Sequence, residues 1–187
     1  MHRNELLSLL EAYETPVMTE AGYLERTKSF VRAHEDCFHS ELLPGHVTGS
    51  AWVVNPDLDL VLMLHHKKHS QWFQPGGHAD CDADIRRVAL RETHEETGIA
   101  PEQIRLLSEG IFDLDIHTIP ASRHGPRHIH YDVRFLIEID DRLPIPGNDE
   151  SHDVIWVPLH LVPRYNNNLS THRMVEKTRQ LKNPHRQ

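Results

Sequence analysis

Alternating apolar and polar positions predict several β-strands in the middle of the chain. Apolar residues take every second position from Ile129 to Ile137, and Leu60 to Leu64 form an unbroken apolar run. The two patterns are typical of half-buried and fully buried strands, respectively. We predict strands at residues 46–55, 58–65, 104–107, 110–119 and 128–139, with another after residue 150. A Pro-Asp turn joins the first two, which should form a hairpin.

Apolar residues spaced three and four apart predict helices at both ends of the chain. The first amphipathic segment, residues 3–14, ends before Pro16, and the second covers residues 19–38. Another helix is expected at residues 170–181. The two N-terminal helices form a helical extension, residues 1–44, ahead of a main domain at residues 45–187. We expect them to pack on that domain or on a partner and to take no part in the chemistry; a second copy of the chain, as in a homodimer, is one such partner.

The charge balance argues against a nucleic-acid polymer as partner. The 187 residues include 28 acidic and 20 basic ones, which gives a net charge of -8, and no basic run is present. Two cysteines, Cys37 and Cys81, do not make a disulfide framework. The sequence has no apolar run of membrane-spanning length and no apolar signal core at its N-terminus. These features predict a soluble cytoplasmic protein with no membrane partner.

Histidine is unusually frequent, with 17 residues. His65, His66 and His69 cluster in one segment, and His128 and His130 alternate on a predicted strand. Such spacing is compatible with a zinc site, but no cysteine or second ordered pair completes one in the sequence. The favoured interpretation is that these histidines line a phosphate pocket or are merely solvated.

Residues 74–99 carry the highest density of candidate catalytic groups. A Pro-Gly-Gly turn is predicted at its start, followed by a helix that ends at Gly98, a residue suited to the left-handed conformation. Asp82 or Asp84 can cap the first turn of this helix. The segment is therefore predicted to be a turn, an acidic loop and a helix in that order.

One face of this helix changes from apolar to acidic within two turns. Its members, in chain order, are Ile85, Val88, Ala89, Glu92, Glu95 and Glu96. Carboxylates this close repel one another unless a cation lies among them, and oxygen ligands favour Mg²⁺ or Mn²⁺. Arg91 is spaced to pair with Glu95, four residues on. The alternative is a solvated acidic edge with an ordinary surface ion pair.

The spacing in this segment resembles the signature of the Nudix hydrolase family. With Gly77 as the first glycine, the later signature positions fall in register at Arg91, Glu92, Glu95, Glu96, Gly98 and Ile99. The resemblance implies an α/β protein with a Nudix-type α/β/α sandwich, in which a mixed sheet lies between helices. Two positions depart from the signature: Ala83 replaces its first glutamate and Thr93 a hydrophobic residue. Either aspartate beside Ala83 could substitute for that glutamate; otherwise the site is weakened.

The resemblance also implies roles for the acidic residues. Glu92 and Glu96 would bind the metal ion, and Glu95, oriented by Arg91, would be a third ligand or the general base. Glu150 precedes a predicted strand and is a further catalytic candidate that could act on the metal or the attacking water. His152 and Asp153 are alternatives for that last role.

Substrate binding is assigned to two places. The backbone of Gly76 and Gly77 could contribute a carbonyl oxygen. Residues 120–127 form a locally basic loop, in which Arg123 and Arg127 could bind a diphosphate because guanidinium groups match phosphate oxygens. A surface loop without that role is the alternative.

The predicted reaction is metal-dependent hydrolysis of the pyrophosphate bond in a nucleoside diphosphate linked to another group, X. The alternative is a nucleotide-binding or regulatory module of the same fold with weak or no hydrolysis, motivated by Ala83. ADP-ribose, a dinucleotide, a nucleotide sugar and a damaged nucleoside triphosphate are all compatible with the sequence.

Overall fold

The structure is a computed structural model that describes residues 2–67, 70–122, 125–148 and 151–183. Within these ranges the α-helices are α1 (Asn4–Ala12), α2 (Met18–Ala33), α3 (Ile85–Thr97), α4 (Val162–Tyr165) and α5 (Leu169–Lys182). The strands are β1 (Gly45–Val54), β2 (Leu60–His66), β3 (Gln71–Phe73), β4 (Gly76–His78), β5 (Arg105–Leu106), β6 (Asp113–Ile119), β7 (His128–Glu138) and β8 (Ser151–Pro158).

The strands form a mixed sheet. Antiparallel partners are β1 with β2 and β4, β2 with β3 and β8, and β7 with β5 and β6. The pair β1 and β7 is parallel, because Ile129 N donates to Pro44 O and Ile139 N donates to Val54 O, ten residues further along both segments. Helices flank this sheet, which confirms the α/β class. The predicted hairpin of β1 and β2 is also confirmed.

Two predictions were wrong in their extent or type. Helix α2 ends at Ala33 because His34 is extended, with φ -119° and ψ 112°, and the next residues turn toward Cys37, whose carbonyl accepts Val47 N at 2.7 Å. The predicted Pro-Gly-Gly turn is instead the start of strand β4, in which Gly76 and Gly77 pair with Ser50 and Gly49. Glycine suits this strand because a Cβ at Gly76 would lie 2.2 Å from Ser50 Oγ.

Contacts between Cα atoms divide the chain into two compact units. The first contains residues 1–50, 76–89 and 108–135, and the second contains residues 51–75, 90–107 and 136–187. The predicted boundary between residues 44 and 45 stays a prediction. No helix within the described residues is long and apolar enough to cross a membrane.

In the first unit the two N-terminal helices contact each other, and the second of them packs on the strands. Helix α2 packs against β6, and the ring of Phe30 stacks on Tyr131 with centroids 4.0 Å apart. The buried carboxylate of Glu20 accepts hydrogen bonds from Tyr13 Oη at 2.6 Å and from Leu114 N at 3.1 Å. A buried carboxylate with several donors is stable, so Glu20 anchors the N-terminal segment to β6.

A buried charge cluster lies in the same unit. The guanidinium of Arg134 binds Asp132 at 2.7 Å, Asp113 at 3.2 Å and Asp115 at 3.3 Å. Arg134 and Asp132 are 4% and 3% exposed, so β7 is covered on both faces rather than only on the predicted apolar face. Burial alone would raise the pKa of Asp132, but Arg134 holds that pKa below its ordinary value.

The second unit has its own apolar core around β2. Strand β2 pairs along its length with β8, and Val61 to Leu64 are buried. Trp52 is fully buried, and its indole nitrogen donates to Thr178 Oγ1 of α5 at 2.9 Å. The predicted C-terminal helix therefore packs on this core, and its Thr178 accepts the hydrogen bond of the buried Trp52 indole.

The buried cluster generates a stability prediction with a matched control. Arg134→Met leaves three carboxylates without their cation and should lower the free energy of unfolding by about 3–5 kcal/mol. Arg142 holds Asp140 at 2.6 Å with the same sequence separation, but its side chain is 86% exposed. Arg142→Met should therefore shift the urea midpoint little. Equal midpoint shifts for the two variants would contradict the assigned role of Arg134.

Candidate active site

The start of helix α3 is organised by the aspartates on either side of Ala83. Asp84 is the cap, because its Oδ1 accepts the Arg87 amide at 3.2 Å, and Asp82 Oδ1 accepts the Asp84 amide at 2.9 Å. Asp82 also binds the Arg87 side chain at 2.5 and 2.7 Å. Both aspartates thus hold the loop to the first turn of α3, where the signature has a glutamate.

The end of α3 depends on Gly98. Its φ is +71°, the left-handed conformation that was predicted, and its amide donates to His94 O at 2.8 Å. A neighbouring loop closes on this helix end: Gly147 N donates to Thr97 O at 2.9 Å, and Asn148 Nδ2 donates to Glu95 O at 3.1 Å. This loop leads to Glu150, which lies outside the described residues.

Helix α3 buries only part of its predicted acidic face. Ile85, Val88 and Ala89 are buried as predicted, and Thr93 is fully buried at its signature position. Toward the C-terminal end, Glu96 is 6% exposed and the Glu92 side chain 14% exposed. Glu95 is exposed, which corrects the expectation that all three glutamates face inward. At about 100° per residue, position 95 lies about 60° from position 92 and about 100° from position 96, so Glu95 falls at the edge of the face that packing buries.

The ion pair of Arg91 also differs from the prediction. Its guanidinium binds Glu92 Oε1 at 2.8 Å, whereas Glu95 was the predicted partner. Arg91 is partly buried beside a largely buried carboxylate, and an ion pair there is stronger than with the solvated Glu95. Arg91 therefore orients Glu92.

The structure describes three of the four predicted substrate-binding residues. Gly76 and Gly77 lie in β4, half-buried against β1, and Arg127 is exposed in the loop before β7. Arg123 lies outside the described residues. Trp72, in the strand just before β4, packs on His65 with ring centroids 4.9 Å apart. Both cysteines are free, and burial raises the pKa of the Cys37 thiol to about 11.

A histidine cluster in the first unit was missed by sequence reasoning. His46, His78 and His130 each offer a ring nitrogen, and these atoms all lie within 4.8 Å of one another. Within the described residues it is the one group of three or more metal-ligand side chains that converges in this way; Glu92, Glu95 and Glu96 do not. The cluster combines residues from β1, β4 and β7, and no local spacing in the sequence marks it.

Comparisons with known proteins identify the family. Residues 44–177, more than half of the chain, match the NUDIX domain family. The chain therefore belongs to this family, and the resemblance inferred from residues 74–99 is confirmed. Members of the family are generally dependent on divalent metal ions and act on small nucleotide-type substrates.

Individual relatives are distant. The chain is 25% identical over 101 residues to the probable DHNTP pyrophosphohydrolase of Lactococcus lactis subsp. cremoris, covering 48% of this chain and 59% of that protein. It is 40% identical over 72 residues to the nucleoside diphosphate-linked moiety X motif 6 protein of Xenopus laevis, covering 35% of this chain and 33% of that protein. The chain thus spans less than two thirds of either relative.

A solved structure shows the same fold. The Ap4A hydrolase of C. elegans, in a binary complex, aligns with a TM-score of 0.59 at 17% identity. The alignment covers 72% of this chain and 96% of that one. At this identity the likeness establishes the fold alone.

The conformation of Gly98 generates a second stability prediction. Gly98→Ala should destabilise the protein by about 1–2 kcal/mol, because the residue is left-handed and a Cβ would lie 2.9 Å from Pro146 Cβ. Gly22 lies inside α2 with open space around its Cβ position. Gly22→Ala should stabilise by about 0.5–1 kcal/mol. Thermal unfolding of both variants measures whether each change stabilises or destabilises the protein. An increase in stability for Gly98→Ala would refute this account of the helix end.

Proposed function

We propose that the chain is a divalent-metal-dependent pyrophosphohydrolase that cleaves the pyrophosphate bond of a nucleoside diphosphate linked to another group. The observation that carries the proposal is the arrangement of α3. Glu92 and Glu96 lie one helical turn apart on one side of the helix, and both side chains are largely withdrawn from water. A surface helix gains nothing from burying two like charges so close together.

The donor chemistry fits Mg²⁺ or Mn²⁺. Carboxylate oxygens are the ligands that these ions prefer, and Glu92 and Glu96 would hold the ion. When bound, a divalent ion neutralises pyrophosphate charge and lowers the pKa of water. Arg91 acts as a positioning residue, since it fixes the carboxylate of Glu92 at 2.8 Å.

Proton transfer needs a carboxylate that water can reach. Glu95 is exposed on α3, so it is suited to accept a proton from the attacking water rather than to serve as a buried ligand. Glu150 is a second candidate for this role on the basis of its sequence position. Gly76, Gly77, Arg123 and Arg127 remain the proposed substrate contacts.

The alternative, a binding module without turnover, depends on the loss of the first signature glutamate. The bonds of Asp82 and Asp84 to Arg87 and to the backbone of α3 support the view that the loop stays attached to the helix despite Ala83. The hydrolase is therefore favoured.

The first test replaces one proposed ligand. Glu96→Gln keeps the side-chain shape but removes the charge, and should lower kcat/KM by about a hundredfold or more, with little change in thermal stability. Glu102→Gln, at an exposed position in the turn that follows α3, is the matched control and should keep full activity. The assay is product release from a panel containing ADP-ribose, dinucleoside polyphosphates, nucleotide sugars and nucleoside triphosphates, with Mg²⁺, Mn²⁺ or chelator. Near-normal turnover by Glu96→Gln would refute the metal assignment. Tight binding of a panel compound by the unaltered chain, without any turnover, would favour the binding module.

Ala83→Glu restores the signature residue. If the neighbouring aspartates already hold the loop, the change should alter the affinity for Mn²⁺ by less than about tenfold. Titration of Mn²⁺ against activity measures this. A much larger gain would mean that the natural loop is poorly attached and that Asp82 and Asp84 do not substitute.

A further inference from the structure

Three strands bring histidines to one face of the first unit. His78 of β4 lies opposite Thr48 in the β1 register, and His46 is two residues before Thr48, so the two histidines share a face. His130 is two residues before Asp132 on β7, and Asp132 accepts the Thr48 hydroxyl at 2.9 Å. Ring centroids of His46, His78 and His130 are 4.8–5.2 Å apart.

His46 is the least expected member of this group. It is 1% exposed, and neither of its ring nitrogens has a hydrogen-bond partner among the described residues, although the Leu42 backbone lies close enough to act on its pKa. A buried polar atom without a partner is unfavourable, because it has lost its hydrogen bonds to water and gained none. The buried imidazole of His46 lies among other imidazoles, which indicates that a ligand binds the lone pair of its ring nitrogen.

Two further histidines surround the three. His128 Nδ1 lies 2.9 Å from Pro126 O and therefore carries the proton, which leaves its Nε2 lone pair directed to His130 Nε2 at 3.1 Å. His117 Nδ1 lies 3.3 Å from Asp115 Oδ2. A histidine whose other nitrogen donates to a carbonyl or a carboxylate is typical of metal sites, since that bond fixes the tautomer and the ring.

Burial favours the uncharged form of two members of the cluster, His46 and His130. Burial, followed by the neighbouring histidines His78 and His128, lowers the pKa of His46 to about 4. Burial likewise lowers the pKa of His130 to about 3, with His117, His46 and His78 acting in the same direction. Neutral imidazoles offer lone pairs to a metal ion and no positive charge to a phosphate.

We propose that His46, His78 and His130 bind a divalent metal ion that prefers nitrogen ligands, such as Zn²⁺. Imidazole nitrogens favour Zn²⁺, Co²⁺, Ni²⁺ and Cu²⁺ over Mg²⁺, so this site differs in chemistry from the carboxylates of α3. Zinc–nitrogen bonds of about 2.0–2.1 Å place tetrahedral ligand atoms about 3.3 Å apart. The three ring nitrogens lie within 4.8 Å of one another, so rotation of the side chains would be needed to bring them to that spacing. A fourth position is left for His128 or water, and the proposal does not depend on the hydrolase assignment.

The test is metal binding by the full chain after removal of any affinity tag and bound metal. Zn²⁺ is titrated in competition with a chromophoric chelator, with Mg²⁺ in excess, and Co²⁺ absorption reports the ligand set. One ion per chain is expected to bind and to raise the melting temperature. His78→Ala removes an exposed ligand, and His130→Gln a second one. Each should weaken Zn²⁺ binding at least tenfold, whereas His160→Ala, exposed in the turn after β8, should not change it.

Four outcomes would overturn the proposal. The unaltered chain could fail to bind Zn²⁺ or Co²⁺ under these conditions, or His78→Ala could bind as tightly as the unaltered chain. In the third, Glu96→Gln abolishes binding while His78→Ala leaves it intact, which would assign the ion to the carboxylates. Inorganic phosphate serves as the anion probe: stabilisation by phosphate that His78→Ala removes, with no metal binding, would make the cluster an anion site instead.

Discussion

The fold of the first unit depends on one buried guanidinium, that of Arg134. Arg134 neutralises part of the charge of Asp113, Asp115 and Asp132, which lie on paired positions of β6 and β7. Asp132 also accepts the hydroxyls of Thr48 and Ser50 from β1, at 2.9 and 2.7 Å. Because each buried charge is costly without its partners, these three strands are stable only in the register that completes the cluster.

The same polar face of β7 continues into the histidines. His128, His130, Asp132 and Arg134 occupy alternate positions of β7, so one face of this strand is polar from its start to its middle. Ser50 connects this face to the signature segment, because Gly76 packs against it with no room for a side chain. Gly76 is thus required by the packing of β4 on β1, whatever its carbonyl also binds.

The carboxylates of α3 and the histidine cluster suit different metal ions. Glu92 and Glu96 offer hard oxygen ligands on one helix, and Mg²⁺ prefers such ligands. The histidines offer nitrogen ligands from three strands, and one of them, His46, is fully enclosed. The first arrangement suits an ion that acts on phosphates, and the second suits one held in place by the fold.

The sequence alone determined the features that depend on near neighbours. The positions of Asp84, Gly98 and the glutamates of α3 follow from capping, left-handed glycine and helical period, all of which act within a few residues. Tertiary structure decided which groups are buried and which meet. It exposed Glu95, covered the polar face of β7, and assembled histidines that are far apart in the chain through strand pairing. Such contacts depend on register and on burial, which no short stretch of sequence specifies.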